Sequence, residues 1–543
     1  MHNKQMSENK KKGITLYPHQ EKAVRSMERS KGIGQILLPT GTGKTIAMAE
    51  HLRRSLKKKG RGPSVAVVVA PRILLGFQLA YEFNTHLSNN FLSSTFMYVH
   101  SGGSGNQEDI NRVRKITKTK HMDIQASTNS AAVAAAMTKA KNERTDLILF
   151  TTYESLARIT TAAKRSRRKI DITYFDEAHH LVQENYNDSL TKFAKHTSQQ
   201  FFFTATAKKT TSDQSTGMNN EDKYGPILYE MTIGEAIKDG RIVRPRLHTV
   251  GVDNVHTTED YKTSIPKIIS TTLSDHVGVL NEQGSQPNQA QAPKLLVTIT
   301  GTKDIERFFE SNYCHELVEE GYKVFAISAR HGPLVDSLDN KLKRPRWLAR
   351  LKSAINDPEE KVLVLHYDIL SEGIDASGFT GCLLLRSMPV STFCQNFGRI
   401  SRLHPKDRAA FRNASYTPED LEQMIKPYAY VIVPRTTSAN MDMSEMFTEI
   451  VKGMRTIGMR MDDFVCTSNQ TSGHSEESDD EFLDDVDEAL QQKIGEEIRD
   501  LYAEIEDKED ANRLMSMSDD DYFGANDDNV FLHKVGKLYH QHH

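Results

Sequence analysis

The sequence predicts an α/β protein: two tandem domains, each a parallel sheet with helices on both faces, then a short acidic, largely helical C-terminal extension. Three observations carry that expectation. Short apolar runs alternate with helical patterns up to about residue 245, and again from Leu295 to Val433. A strand, a glycine-bearing loop and a helix follow one another at Gln35 to Arg54. After Pro434 the apolar rhythm gives way to acids. The expected boundaries are therefore 1–245, 246–435 and 436–543, and 543 residues suffice for about three domains of ordinary size.

Taken in order, Leu16-Tyr17-Pro18-His19-Gln20 opens a helix with Ala23, Val24 and Met27 on one face. Gln20 stands 24 residues before Lys44, so its amide could be placed to read an adenine edge; a surface glutamine is the plainer alternative. The run Gln35-Ile36-Leu37-Leu38 is a strand leading into Pro39-Thr40-Gly41-Thr42-Gly43-Lys44-Thr45, and Ile46 to Arg54 continues as a helix. Gly41 and Gly43 let the backbone wrap phosphates, and the helix start offers unpaired N–H groups to the anion. Lys44 is placed to reach the β- and γ-phosphates of ATP, with the Thr45 hydroxyl on Mg²⁺. Leu38 stands where the full phosphate-loop pattern has glycine.

Val65 to Ala70 is a buried parallel strand ended by Pro71, and Pro71 to Gln78 starts the next helix. An alanine-rich helix is expected around Ala131–Ala140 inside a polar stretch, then a strand at Leu147–Phe150 followed by Thr151-Thr152-Tyr153. The strand Ile172–Phe175 carries Asp176-Glu177-Ala178-His179-His180 at its C-terminal end. An acidic pair there, opposite a loop lysine, can hold Mg²⁺ through Asp176 and activate a water through Glu177. Phe201-Phe202-Phe203 ends in Thr204-Ala205-Thr206. The second domain has strands at Leu295–Ile299, Lys323–Ile327, Val362–Leu365 and Cys382–Leu385, with Tyr430–Val433 closing its sheet. Trp347, Leu348, Leu351 and Ile355 have helical spacing, which makes the tryptophan a core residue rather than a base-stacking one.

Composition excludes several classes. No run of about 18 apolar residues exists to span a membrane, and Met1–Lys12 has no apolar core of a secretory signal. Cys314, Cys382, Cys394 and Cys466 show no zinc spacing, in keeping with a reduced intracellular setting, whether cytoplasm, nucleus or nucleoid. Ser475–Asp510 holds 17 acidic and 3 basic residues, a local −14 that leaves the rest of the chain at +12 within a net charge of −2. A basic body suits a polyanionic partner. Leu483, Val486, Leu490, Ile494, Ile498, Leu501 and Ile505 make the acidic segment an amphipathic helix fit to dock on the body or on a protein partner.

In this order the motifs resemble those of superfamily 2 helicases and translocases of the DEAH/DExH type, over roughly Leu16–Pro434. Within that superfamily, Tyr224-Gly225-Pro226 and Ile233-Gly234-Glu235-Ala236-Ile237 resemble the branch of type I and III restriction motors, XPB-type enzymes and phage recombination helicases. The resemblance implies two RecA-like P-loop domains with ATP and Mg²⁺ between them. Pro39, Thr40, Gly41, Thr42, Gly43, Lys44 and Thr45 form the phosphate motif, which in this superfamily often lacks the first glycine, and Gln20 lies in the adenine-reading element. Pro71, Arg72, Gln78, Thr151 and Thr152 fall in nucleic-acid-contacting motifs; Thr204, Thr206 and His179 fall in the coupling motifs. Ser371-Glu372-Gly373-Ile374-Asp375 resembles motif V, placing Gly373 and Asp375 at the nucleotide. Gln395-Asn396-Phe397-Gly398-Arg399-Ile400-Ser401-Arg402 matches motif VI, with Gln395, Arg399 and Arg402 expected on one helical face and the two arginines on the γ-phosphate.

The expected function is an ATP-dependent DNA helicase or translocase, DNA being favoured over RNA because the branch mostly works on DNA. An RNA helicase is the nearest alternative, and a scaffolding ATPase that recruits a partner through its acidic tail is the alternative of another class. A compact motor with a short tail suggests a viral or phage source. Glu506-Asp507-Lys508 mimics half of a nuclease site but lies in the acidic helix.

Overall fold

The computed structural model describes residues 15–57, 62–71, 73–88, 94–100, 124–205, 207–208, 216–252, 257–283, 292–328, 330–367, 377–386, 396–413, 423–436 and 466–469, with single positions 415, 417 and 420. Phe201, Phe202 and Phe203 show how the first sheet is built. Phe201 and Phe203 enter the core cluster that holds Tyr174 and Ala47, while Phe202 enters the opposite one and stacks on Phe175 at 4.8 Å. A strand covered on both faces needs no polar alternation, so it reads as an unbroken apolar run.

The first lobe has eight strands: β1 (Ile33–Leu37), β2 (Val65–Ala70), β3 (Ser94–Val99), β4 (Ile124–Ser127), β5 (Asp146–Thr152), β6 (Ile172–Phe175), β7 (Gln200–Thr204) and β8 (Ile227–Glu230). Their order is β4-β3-β5-β2-β6-β7-β1-β8, and every pairing is parallel. β6, β7 and β1 are neighbours, so their C-terminal ends open on one edge. Helices α1 (Pro18–Arg29), α2 (Lys44–Leu56) and α3 (Ile73–Ser88) pack on the sheet. The alanine-rich helix runs Ser130–Asn142.

The second sheet takes β9 (Arg244–Val252), β10 (Lys294–Thr298), β11 (Lys323–Ser328), β12 (Gly332–Val335), β13 (Ser337–Lys341), β14 (Val362–His366), β15 (Gly381–Leu384), β16 (Tyr428–Thr436) and β17 (Cys466–Asn469). Their order is β13-β12-β11-β14-β10-β15-β16-β9-β17. Two expectations are corrected here. The sheet is not wholly parallel, because the β11-β12-β13 edge is antiparallel. Nor does β16 close it: β9 and β17 lie beyond, and β17 falls in the segment assigned to the extension. Pro434 misled the reading, since proline cannot donate to a ladder. It is tolerated because β15 pairs β16 only at Tyr430–Ile432, leaving Pro434 past the end of that neighbour. Trp347 is fully buried and donates from Nε1 to the Leu334 carbonyl at 2.8 Å, the core role expected of it.

The lobes touch along the segment entering β9. Ile242 bridges antiparallel to Arg402, and the Val243 N–H donates to the Ser401 carbonyl at 2.8 Å. Beside them the Arg241 guanidinium lies 3.8 Å over the Tyr17 ring.

Candidate nucleotide site between the lobes

The phosphate loop leaves β1 with Gly41 and Gly43 both at φ 91°, a region where only glycine is unstrained. A Cβ on Gly43 would stand 2.3 Å from the Gln20 amide nitrogen. Leu38, the departure from the motif, is fully buried and donates its N–H to the Thr204 carbonyl at 3.0 Å; it serves the core. The loop is braced from α1: the Thr42 carbonyl meets His19 Nε2 at 2.8 Å and accepts from Gln20 Nε2 at 3.0 Å. The Tyr17 N–H donates to Gln20 Oε1 at 3.0 Å. Gln20, expected to face adenine, thus has both ends of its amide engaged within the protein and acts as a brace. His19 shares that task, and nothing in its sequence position announced it.

The acidic pair sits at the end of β6. The Asp176 backbone is fixed by its N–H to the Val69 carbonyl at 2.8 Å, and its own carbonyl accepts from the Tyr153 hydroxyl at 2.5 Å. Burial, then the charge of Glu177, push the Asp176 carboxyl up to about 7. Glu177 adopts φ 50° and pairs with the Lys44 ammonium at 2.7 Å. Burial raises its pKa, but Lys44 and then His179 outweigh that and leave it below the ordinary value. His179 Nδ1, in the turn after β6, lies 3.0 Å from the Thr204 hydroxyl at the end of β7.

These residues fit a magnesium nucleotide. Asp176 is a buried carboxyl at the end of β6, and Thr45 is half-buried in the first turn of α2, next to Lys44. Among the described residues no group of three or more His, Cys, Asp or Glu forms a protein-only metal site. Mg²⁺ on a nucleotide needs none, since phosphate and water oxygens complete its shell.

The second lobe brings its arginine motif onto this loop. A Cβ on Gly398 would lie 2.5 Å from Thr40 Cβ, and one on Gly41 would lie 3.4 Å from Arg402 Cγ. Arg399 is buried. The expected common helical face is corrected: the helix covers residues 396–400, and Arg402 leaves it to bridge with Ile242. Arg402 lies against the phosphate loop from beyond the helix end, and Arg399 is buried with its charge acting on His366 of the second lobe. Thr151 and Thr152, expected in a nucleic-acid-contacting motif, have their hydroxyls engaged within the first lobe. Both are buried, with Thr151 Oγ1 donating to the Val99 carbonyl at 3.0 Å and Thr152 Oγ1 to Ser155 Oγ at 3.2 Å. Pro71 is half-buried at the end of β2. Arg72, Thr206, Gly373, Asp375 and Gln395 lie outside the described residues, as does the acidic helix, and of Gln78 only its place in α3 is described.

A phosphate loop, a strand-end acidic pair and a facing arginine segment on two α/β lobes define a two-lobed P-loop fold. Residues 13–209 match the family described as type III restriction enzyme, res subunit. The fold of the chain is similar to the ATP-dependent Type ISP restriction-modification enzyme LlaBIII bound to DNA, with 19% identity and a TM-score of 0.61 over 89% of this chain and 33% of that one. It is likewise similar to a nuclease-deletion mutant of the Type ISP enzyme LlaGI with a DNA substrate mimic, at 18% identity and 0.53 over 89% and 31%. The chain therefore spans about a third of the length of each enzyme. No protein of curated function matches the sequence significantly. Among the described residues no helix is long and apolar enough to cross a membrane.

Proposed function

We propose that the protein is an ATP-dependent DNA translocase or helicase that works inside the cell. The observation that carries the reading is the meeting of Thr40 and Gly41, on the loop that presents Lys44 to Glu177, with Gly398 and Arg402, which supports a nucleotide site shared by two lobes. In this reading Thr45 and Asp176 would hold Mg²⁺, which would supply neutralisation of the phosphate charge. ATP draws Lys44 from Glu177 to its phosphates, freeing Glu177 to orient and deprotonate the attacking water. Arg399 and Arg402 meet charge developing on the γ-phosphate, which ties hydrolysis to closure of the cleft. The His179–Thr204 contact passes that state across the C-terminal strand ends. There Pro71, Arg72 and Gln78 are proposed to grip the phosphate backbone. Thr151 and Thr152 shape that surface from beneath.

DNA is favoured by the restriction-enzyme family match and by the DNA named with both similar structures. The acidic segment Ser475–Asp510 is proposed as a protein-docking element. ATP turnover measured with duplex DNA, single-stranded DNA and RNA tests the reading: strong stimulation by DNA is expected. Stimulation by RNA alone would reassign the substrate, and none by any of them would favour the scaffold.

A further inference from the structure

Lys426, a cation no motif includes, is buried behind the arginine segment at 2% exposure. Its ammonium donates to three backbone carbonyls: Ile400 at 2.5 Å, Arg402 at 3.0 Å and Ser377 at 3.2 Å. An ammonium has three N–H donors, so its capacity is filled. Ile400 and Ser401 are themselves buried, at the end of the 396–400 helix, where carbonyls lose their helical partners. A cation at that end also suits the helix dipole.

The clamp is anchored on both sides. Fully buried Asp407, in the helix Pro405–Arg412, accepts the Ile425 N–H at 2.9 Å and the Lys426 N–H at 3.0 Å. Ser377 is anchored through Gly378, which approaches the helix Arg344–Asn356 so closely that a Cβ there would lie 2.0 Å from the Ile355 carbonyl oxygen. We infer that Lys426 is a positioning residue, holding the chain from Ile400 to Arg402 at a fixed place against the second lobe so that Arg402 meets the phosphate loop. This rests on the reading of Arg402 as a nucleotide-facing residue. Lys426 itself touches no nucleotide.

The test uses the full chain with saturating Mg²⁺-ATP and DNA, reading kcat beside the affinity for a fluorescent ATP analogue. Lys426→Met is expected to lower kcat tenfold or more while analogue affinity changes less than threefold. Lys426→Arg, which keeps a cationic donor, should recover much of the loss. A folded methionine variant with wild-type kcat overturns the inference. If methionine beside three unmet carbonyls prevents folding, Asp407→Asn decides. It removes one of the two bonds on residues 425 and 426, and a folded variant with wild-type kcat again overturns the clamp. Arg402→Ala, run in parallel, separates the two readings. If it retains wild-type kcat, the composite site falls and the clamp with it; if it loses turnover while the Lys426 and Asp407 variants do not, only the clamp falls.

Discussion

Each half of the proposed nucleotide site rests on a buried charge, and the two are opposite in kind. Behind the phosphate loop, Glu50 of α2 is bonded by Arg53 at 2.6 Å, Arg54 at 2.8 Å and His86 of α3 at 2.8 Å, and Arg54 reaches on to Glu21 of α1. Burial alone would raise the Glu50 carboxyl; the bonds from Arg53, His86 and Arg54 outweigh it and hold the group well below the ordinary range. Behind the arginine segment, Lys426 meets carbonyl dipoles, with Asp407 as its nearby anion and Arg402, Lys294 and Arg408 as opposing cations. Burial first, partly offset by Asp407, brings its pKa down to about 7. The first lobe has a neutralised anchor that ties three helices together. The second has a cation held by backbone, whose hold depends on keeping its proton. In the proposed translocase the two halves would shift against each other as the cleft closes, and each anchor would hold its own half together through that motion.

The largest expected effect is in the first lobe. Lys44→Ala should reduce ATP turnover to background with the fold retained, because Lys44 is the cation that the loop presents to Glu177. Circular dichroism and steady-state ATPase measurements on one preparation check it, and normal turnover would remove the phosphate-loop assignment. In the second lobe, Arg399→Ala or Arg402→Ala should cost roughly three orders of magnitude in turnover, with nucleotide affinity falling far less. Mutants that instead lose melting temperature and keep turnover per folded molecule would reduce these arginines to structural ion pairs. Glu177→Gln should preserve nucleotide binding and slow hydrolysis by about two or more orders of magnitude. Loss of binding would show that Glu177 arranges the metal.

The smallest effects distinguish the anchors by pH. Glu50, with its folded pKa depressed, contributes stability that is present above about pH 4.5 and lost as pH falls below it. Glu50→Gln should cost about 3 kcal/mol at neutral pH, and the melting-temperature gap to wild type should narrow below pH 4.5. Lys426 has the reverse sign. Its unfolded state holds the proton more tightly between about pH 7 and 10.5, so its burial penalty is full below pH 7 and is relieved as pH rises. Wild type should therefore gain melting temperature relative to Lys426→Met from pH 7 to 10, while its kcat falls as the amine loses a donor. Lys294, whose pKa burial brings down to about 8, titrates in the same window and is present in both proteins. Parallel pH profiles for the two proteins would show that Lys426 does not govern the arginine segment.

The sequence by itself determined the chemistry and the central strands. Ile172–Phe175 with Asp176, and Gln35–Leu38 with the glycine loop, were legible because a parallel strand buried on both faces must be apolar and the residues binding phosphate must follow it directly. β3, β4, β8 and β17 were not, being short or at the margins of the sheets, where polar residues are tolerated. Only the tertiary structure decided that the Thr151 and Thr152 hydroxyls point inward, that Gln20 braces the loop, and that Arg402 leaves its helix. The physical reason is the same in each case: local spacing fixes which residues share a turn, whereas the partner of a buried polar group comes from chain far away in sequence. Lys426, 24 residues beyond Arg402, is where the arginine helix finds that partner.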